Sequence, residues 1–187
     1  MTATDYFHRL YAASDDPWSL ASRPYERRKY AVTLACLPRP RYRSAFEPGC
    51  SIGVLTGRLA RRCARLLAMD AVPRAVEEAR AATGRMPHVQ VRTGTVPADW
   101  PEGRHDLVVL SELLYYLCSE DRRRVAELTL SSLEPGGHLL AVHWRHPFGE
   151  APTDGDRVHA ELAATPGLSL LVNHTERDFL AQVFVRE

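Results

Sequence analysis

Short apolar runs alternate with longer amphipathic ones through most of this chain. Ser44–Glu47, Leu66–Asp70, Val89–Thr93, Asp106–Ser111 and about His138–Trp144 are apolar, brief and bounded by turn residues, and they read as strands. Between them, Val54–Arg62, Pro73–Thr83 and Ser119–Leu133 place their apolar residues at helical spacing. Pro73 suits a first helical turn, and Ser119 is expected as an N-cap with Glu120 and Asp121 behind it. Leu107-Val108-Val109-Leu110 is apolar at every position, as a central strand covered on both faces must be. Pro135-Gly136-Gly137 is a tight turn into the fifth strand. This order of elements predicts a doubly wound, mostly parallel α/β sheet. An irregular stretch through Pro152 and a short helix near Asp156–Ala164 follow. Leu168–Asn173 and about Phe179–Val185 then predict an antiparallel hairpin at a sheet edge.

The pattern ahead of the sheet is different. Tyr6–Tyr11 suits a short helix, and Asp15-Asp16-Pro17-Trp18 is a turn ending on an indole. A second helix, about Pro24 to Leu37, carries Tyr25, Tyr30, Leu34 and Leu37 as an apolar stripe, and Pro38 and Pro40 stop it. The expectation is a helical cap over residues 1–41 on a Rossmann-like core over residues 42–187. With 187 residues, no repeat and no linker, the chain reads as one domain.

Candidate chemistry gathers where the predicted strands end. Glu47 leads into Pro48-Gly49-Cys50-Ser51-Ile52-Gly53, a small-residue turn that opens a helix. Gly49 and Gly53 allow a sharp turn and close backbone approach to a ligand. A dinucleotide loop would present amides to a pyrophosphate, without an acid leading in. A carboxylate at that place suits a cationic, amino-acid-bearing cofactor, and S-adenosylmethionine (SAM) is the candidate. Asp70, ending the second strand beside Ala71, stands where such folds put the acid that binds ribose hydroxyls. Thr95 and Val96 follow the third strand and should meet the adenine, with Thr95 standing where an acid is common. Ser111 and Glu112 end the fourth strand. Glu112 could hold an acceptor ammonium or act as a base, or else pair with a cap arginine such as Arg28. Tyr115 and Tyr116 could wall the transfer channel or pack as core. His143 and His146, with His159 further on, are candidate proton acceptors at the fifth strand's edge and form no convincing metal pattern. Trp18 could close the site by stacking near the sulfonium.

Charge and composition narrow the partners. A net charge of +1, from 24 Lys+Arg against 23 Asp+Glu, leaves no footprint for nucleic acid or an anionic membrane. Lys29 is the only lysine among those cations. The four cysteines, Cys36, Cys50, Cys63 and Cys118, form no C-x-x-C pair and read as reduced thiols. Met1–Leu10 lacks the apolar core of a signal peptide, so a cytoplasmic monomer or homodimer acting on a small molecule is expected.

Taken together, these stretches resemble the class I SAM-dependent methyltransferases, and more narrowly the NodS-like nodulation N-methyltransferases. The resemblance is carried by Asp16-Pro17-Trp18, Tyr25-Glu26-Arg27-Arg28-Lys29-Tyr30, the loop from Glu47 to Thr56, and Leu66–Asp70. Further on it rests on Asp106–Leu117 with its Tyr115-Tyr116-Leu117, on His143-Trp144-Arg145-His146 and on Gly155–His159. It implies a seven-stranded sheet whose last strand is antiparallel, and methyl transfer from SAM to the free amine of a deacetylated chitooligosaccharide. It further implies that Glu47, Gly49, Gly53 and Asp70 bind SAM, with Cys50, Ser51 and Ala71 beside them and Trp18 and Arg28 closing the site from the cap. Ser51 stands where the wider class often has glycine. O- or C-methylation and SAM binding without transfer are the alternative readings.

Overall fold

The computed structural model describes residues 3–149 and 151–187. Met1 and Thr2 of the expected cap, and Glu150 in the irregular stretch before Pro152, lie outside the described residues. Two cap helices come first, α1 (Ala3–Ala13) and α2 (Pro24–Ala35). The sheet is built from β1 (Ala45–Pro48), β2 (Leu66–Asp70), β3 (Val89–Thr93), β4 (His105–Ser111), β5 (Leu133–Trp144), β6 (Leu168–Thr175) and β7 (Phe179–Arg186). Helices α3 (Val54–Leu59), α4 (Pro73–Thr83), α5 (Ser119–Ser132) and α6 (Gly155–Ala163) connect them.

The strands lie in the order β3-β2-β1-β4-β5-β7-β6. β7 inserts antiparallel between β5 and β6, so six strands run one way and the last runs against them. β4 is the central strand that its unbroken apolar run requires. Leu107, Val108, Val109 and Leu110 have no exposed surface. Strand alternation divides them between two cores. Leu107 and Val109 pack with Leu55 and Leu59 of α3 and Tyr30 of α2. Val108 and Leu110 pack with Val125 of α5 and with Val158 and Leu162 of α6. The start of β1 is pinned to β4 by Asp106, whose carboxylate accepts the amides of Arg43 and Ser44 at 2.9 and 2.8 Å.

Some boundaries differ from the pattern's expectation. Val54–Arg62 is α-helical only to Leu59 and ends in a 3-10 turn over Ala60–Arg62. α5 is capped by Cys118 instead of Ser119: the Cys118 Sγ accepts the Asp121 amide, and Ser119 is already helical. Pro135-Gly136-Gly137 falls inside β5, since Leu133 already pairs with His105 across an irregularity in β4. Leu114–Tyr116 forms a 3-10 turn that the apolar pattern conceals.

The chain reverses its winding between β1 and β4, which are adjacent parallel strands with connections leading to opposite sides. A crevice therefore opens at their carboxyl ends, where doubly wound sheets bind ligands. Helices α1 and α2 lie across it.

Candidate active site

The crevice is a cavity of about 670 Å³, walled by the carboxyl ends of β1, β2 and β4 and by both cap helices. At one end the loop after β1 folds on itself. Gly49 adopts φ +74°, and a Cβ there would press on Leu113 at 3.3 Å. Ser51 also takes a left-handed conformation, φ +50°, which explains why glycine suits this position. Its amide donates to Asp70 Oδ2 at 2.8 Å, and the Val72 amide donates to Oδ1 at 3.0 Å. These bonds fix the Asp70 carboxylate at the cavity wall with lone pairs remaining. Burial raises its pKa against the pull of those amides.

Glu47 is 2% exposed, and its Oε2 has no hydrogen-bond partner among the described residues. Burial pushes its pKa up to about 8; Thr56 opposes the shift and the Asp70 charge adds to it. A buried, unpaired carboxylate oxygen is costly unless a donor or cation meets it. Ala71, Cys50, Thr95, Val96 and Ser111 line the same cavity. The loop after β3 does contain an acid, but Asp99 spends it internally. Its Oδ2 accepts both the amide and the hydroxyl of Thr95, at 2.8 and 3.1 Å.

The other end is acidic and aromatic. Glu112 sits just past β4 with φ +53°, a conformation uncommon for a residue with a side chain. Its Oε1 accepts Lys29 Nζ at 2.7 Å, and its Oε2 accepts the Tyr115 hydroxyl and the Trp144 amide, the latter at 2.9 Å. Lys29 also pairs with Glu26 at 2.9 Å, so one buried ammonium joins two carboxylates. Burial works against the charge on Lys29, but Glu112 and Glu26 more than reverse this and raise its pKa. Tyr25, Tyr30, Tyr115 and Trp144 wall this end, with Asp178 at its margin.

Trp18 and Tyr116 line the cavity and meet through Phe7, whose ring is 6.2 Å from the indole and 4.7 Å from the Tyr116 ring. The remaining candidates stand elsewhere. Arg28 is outside the lining and forms a two-bonded pair with Glu176, at 2.7 Å for each bond. The partner of Glu112 is therefore Lys29, one residue further along α2. Gly53 faces α4, where a Cβ would stand 2.9 Å from the Ala79 backbone; with φ +80° it serves a helix–helix approach. His146 is not in the lining but bonds Asp178, at the cavity's margin, at 2.8 Å.

His143 has no exposed surface and is not in the lining. Its Nε2 accepts the Leu114 amide at 3.2 Å, so Nδ1 carries the proton and donates to His159 Nε2 at 3.1 Å. His159 then donates from Nδ1 to Gln182 at 2.7 Å. Burial drives the His143 pKa well down, so the ring is neutral and holds the turn beside the cavity. Glu26 and Lys29 are the site residues that pattern reading passed over. Their trace is the i, i+3 spacing on α2 and the isolation of a single lysine among arginines.

Seven strands in this order, with acids ending β1 and β2 and a left-handed loop between β1 and α3, define the Rossmann-like fold of the SAM-dependent methyltransferases. The chain belongs to the Nodulation protein S (NodS) family, whose model matches residues 3–146. It is 38% identical over 131 residues to Nodulation protein S of Rhizobium tropici, a match covering 68% of this chain and 55% of that protein. Thus this chain spans about half the length of that relative. With the Sinorhizobium fredii protein it shares 30% identity over 179 residues, 94% of this chain and 80% of the other. The crystal structure of N-methyltransferase NodS from Bradyrhizobium japonicum WM9 in complex with S-adenosyl-L-homocysteine (SAH) superposes with a TM-score of 0.87. The two are 27% identical, over 98% of each chain.

Proposed function

We propose that the protein transfers a methyl group from SAM to the amine of a small, amino-sugar-like acceptor. The observation that carries this is the division of one cavity into two acidic ends. At the first, the unpaired Glu47 Oε2 suits the ammonium of the methionine part, and Asp70 has lone pairs for the ribose hydroxyls. SAM, when bound, supplies an electrophilic methyl on a sulfonium. At the second end, Glu26 and Glu112 outnumber Lys29 by one charge, which favours a cationic acceptor over an anionic one. A carboxylate there can take the proton that an ammonium must lose before its nitrogen attacks. The aromatic walls and the cap exclude water, and holding the nitrogen in line supplies much of the acceleration available to such a displacement.

In support, the family match and the SAH complex of the Bradyrhizobium japonicum protein concern N-methyltransferase relatives. Incubation of the protein with methyl-labelled SAM and glucosamine is expected to give an N-methyl product and an equal amount of SAH. Label reaching only hydroxyl or carbon acceptors would replace the amine reading, and SAM binding with no SAH formed would remove the transferase reading altogether.

A further inference from the structure

A net charge of +1 averages over two edges of the sheet that differ sharply. At the carboxyl edge stand Glu47, Asp70, Glu112 and Asp178 of the cavity. The amino edge carries the opposite sign. The segments leading into β1, β2, β3 and β4, residues 36–44, 60–65, 84–88 and 103–105, hold eight of the 24 Lys+Arg and no acid. Glu102 and Asp106 flank the last of them, and Asp106 is buried on the amides of Arg43 and Ser44.

Strand pairing brings these arginines together, since neighbouring strands lie about 4.8 Å apart. Tyr42 bridges Cys63, which sets Arg41 and Arg43 beside Arg62. The Arg65 carbonyl accepts the Ala45 amide and the His88 carbonyl accepts the Leu66 amide, each at 2.9 Å, so the starts of β1, β2 and β3 stand level. Arg62 is the structural member: its guanidinium donates to the carbonyls of Leu34, Leu37, Arg39 and Pro40 and fixes the loop after α2. Arg39 and Arg104 each donate to one carbonyl, of Gly136 and Leu133. Arg41, Arg61, Arg65 and Arg85 are exposed and have no hydrogen bond or ion pair among the described residues. The Arg43 side chain is 80% exposed and reaches Asp106 only at 3.7 Å. Five guanidiniums thus face water along one edge.

This patch suits a plane better than a strand of nucleic acid. Its members come from the ends of α2, α3 and α4 and from the approach to β4, not from one groove. Single-stranded nucleic acid is gripped by exposed rings on which bases stack. Tyr42, the one tyrosine, phenylalanine or tryptophan in these segments, is 1% exposed. An anionic bilayer needs no such rings, and each cation near its surface adds severalfold to the partition.

We propose that the amino edge of the sheet is a docking surface for an anionic lipid bilayer, held by Arg41, Arg43, Arg61, Arg65 and Arg85. Contact is electrostatic and peripheral: no described helix is long and apolar enough to cross a membrane, and these segments expose no large apolar side chain. The cavity opens at the opposite edge, so the docked protein keeps its site toward water.

The test is co-sedimentation with vesicles of phosphatidylcholine alone and of phosphatidylcholine mixed with phosphatidylglycerol. Binding is expected to the mixed vesicles only, weakening as salt is raised. Arg41→Glu combined with Arg65→Glu should lower the partition at least about tenfold. Arg123→Glu combined with Arg124→Glu makes the same change in net charge at the start of α5, beyond β4's carboxyl end, and should lower it no more than about twofold. No binding to mixed vesicles, or equal losses in the two pairs, overturns the surface. SAH affinity, titrated calorimetrically, should be the same in every variant and with or without vesicles; vesicles that abolish SAH binding overturn the orientation. Should the first pair lose SAH binding on its own, Arg41→Gln with Arg65→Gln replaces it. That pair should lower the partition about threefold, and an unchanged value overturns the assignment. A single-stranded RNA that strips the protein from mixed vesicles at equal phosphate concentration assigns the edge to nucleic acid and overturns the lipid reading.

Discussion

Glu47 shows how a single residue can couple folding, pH and cofactor. In the unfolded chain its carboxyl ionises near 4.5; in the folded protein burial moves this to about 8. Between those values the folded state keeps a proton that the unfolded state gives up. Stability without ligand therefore falls as pH rises through this window, by at most about 1.4 kcal/mol per pH unit. Glu47→Gln removes that slope, so the stability difference between variant and wild type, measured by urea denaturation, should grow in the variant's favour from about pH 5 to pH 8. Asp70, raised in the same direction, titrates in both proteins, and its charge adds to the Glu47 shift. An incoming ammonium reverses the penalty. SAH binding near neutrality should release a proton, seen as a dependence of binding heat on the buffer's ionisation enthalpy. A pH-independent difference would remove Glu47 from this role. Glu47 and Asp70 were legible as candidates because acids at strand ends stand out from the apolar run before them. Glu26 and Lys29 were not, because they sit on a helix whose placement over the sheet leaves no local mark. The lone lysine was the available clue: a compact ammonium fits between two carboxylates in a way a planar guanidinium does not.

Among the elements, the 3-10 turn at Leu114–Tyr116 carries Tyr115 and Tyr116 of the cavity's aromatic wall. It hangs on the relay from the Leu114 amide through His143 and His159 to Gln182. His143→Ala leaves the Leu114 N–H and the His159 Nε2 unpaired and opens a hole. A loss on the order of 2–4 kcal/mol at neutral pH is expected in urea denaturation. Burial holds the His143 pKa well below its ordinary 6.5. The unfolded state thus binds the proton that the folded state refuses, and this part of the stability is lost as pH falls below about 6.5. The deficit of His143→Ala should accordingly narrow on acidification, and a deficit constant in pH would refute the buried neutral ring. The histidine was visible in sequence as chemistry at a strand edge. Its burial was not, because alternation along β5 does not say which face α6 will cover with His159. The cap of α5 went the same way: Cys118 and Ser119 are both small and polar, and only the backbone's entry angle separates N-cap from first turn.

At the scale of the whole molecule, α1 is joined to the cofactor loop and α4 by one small apolar cluster. Tyr11, with Phe7 and Trp18, packs on Val72, Ala75 and Ile52, and the Tyr11 hydroxyl meets Ser51 Oγ at 2.5 Å on the cofactor loop. The exposed Arg74–Asp15 pair adds little. Because Tyr11, Trp18 and Ser51 all line the cavity, a ligand that fills its Glu47 end ties the cap to the sheet. SAH should therefore slow tryptic cleavage at Arg9 and leave Arg177, on the β6–β7 turn, unaffected; equal protection of both would count against a cap-specific effect. The succession of strands and helices, the buried β4 and the acids at the ends of β1 and β2 follow from the sequence, because periodicity and turn chemistry act within a few residues. The pairing of Lys29 with Glu26 and Glu112, the retirement of Arg28 to Glu176 and of His143 to the core, and the use of Gly53 against Ala79 were decided by tertiary structure. Each depends on the separation between surfaces far apart in the chain, and no local pattern carries that distance.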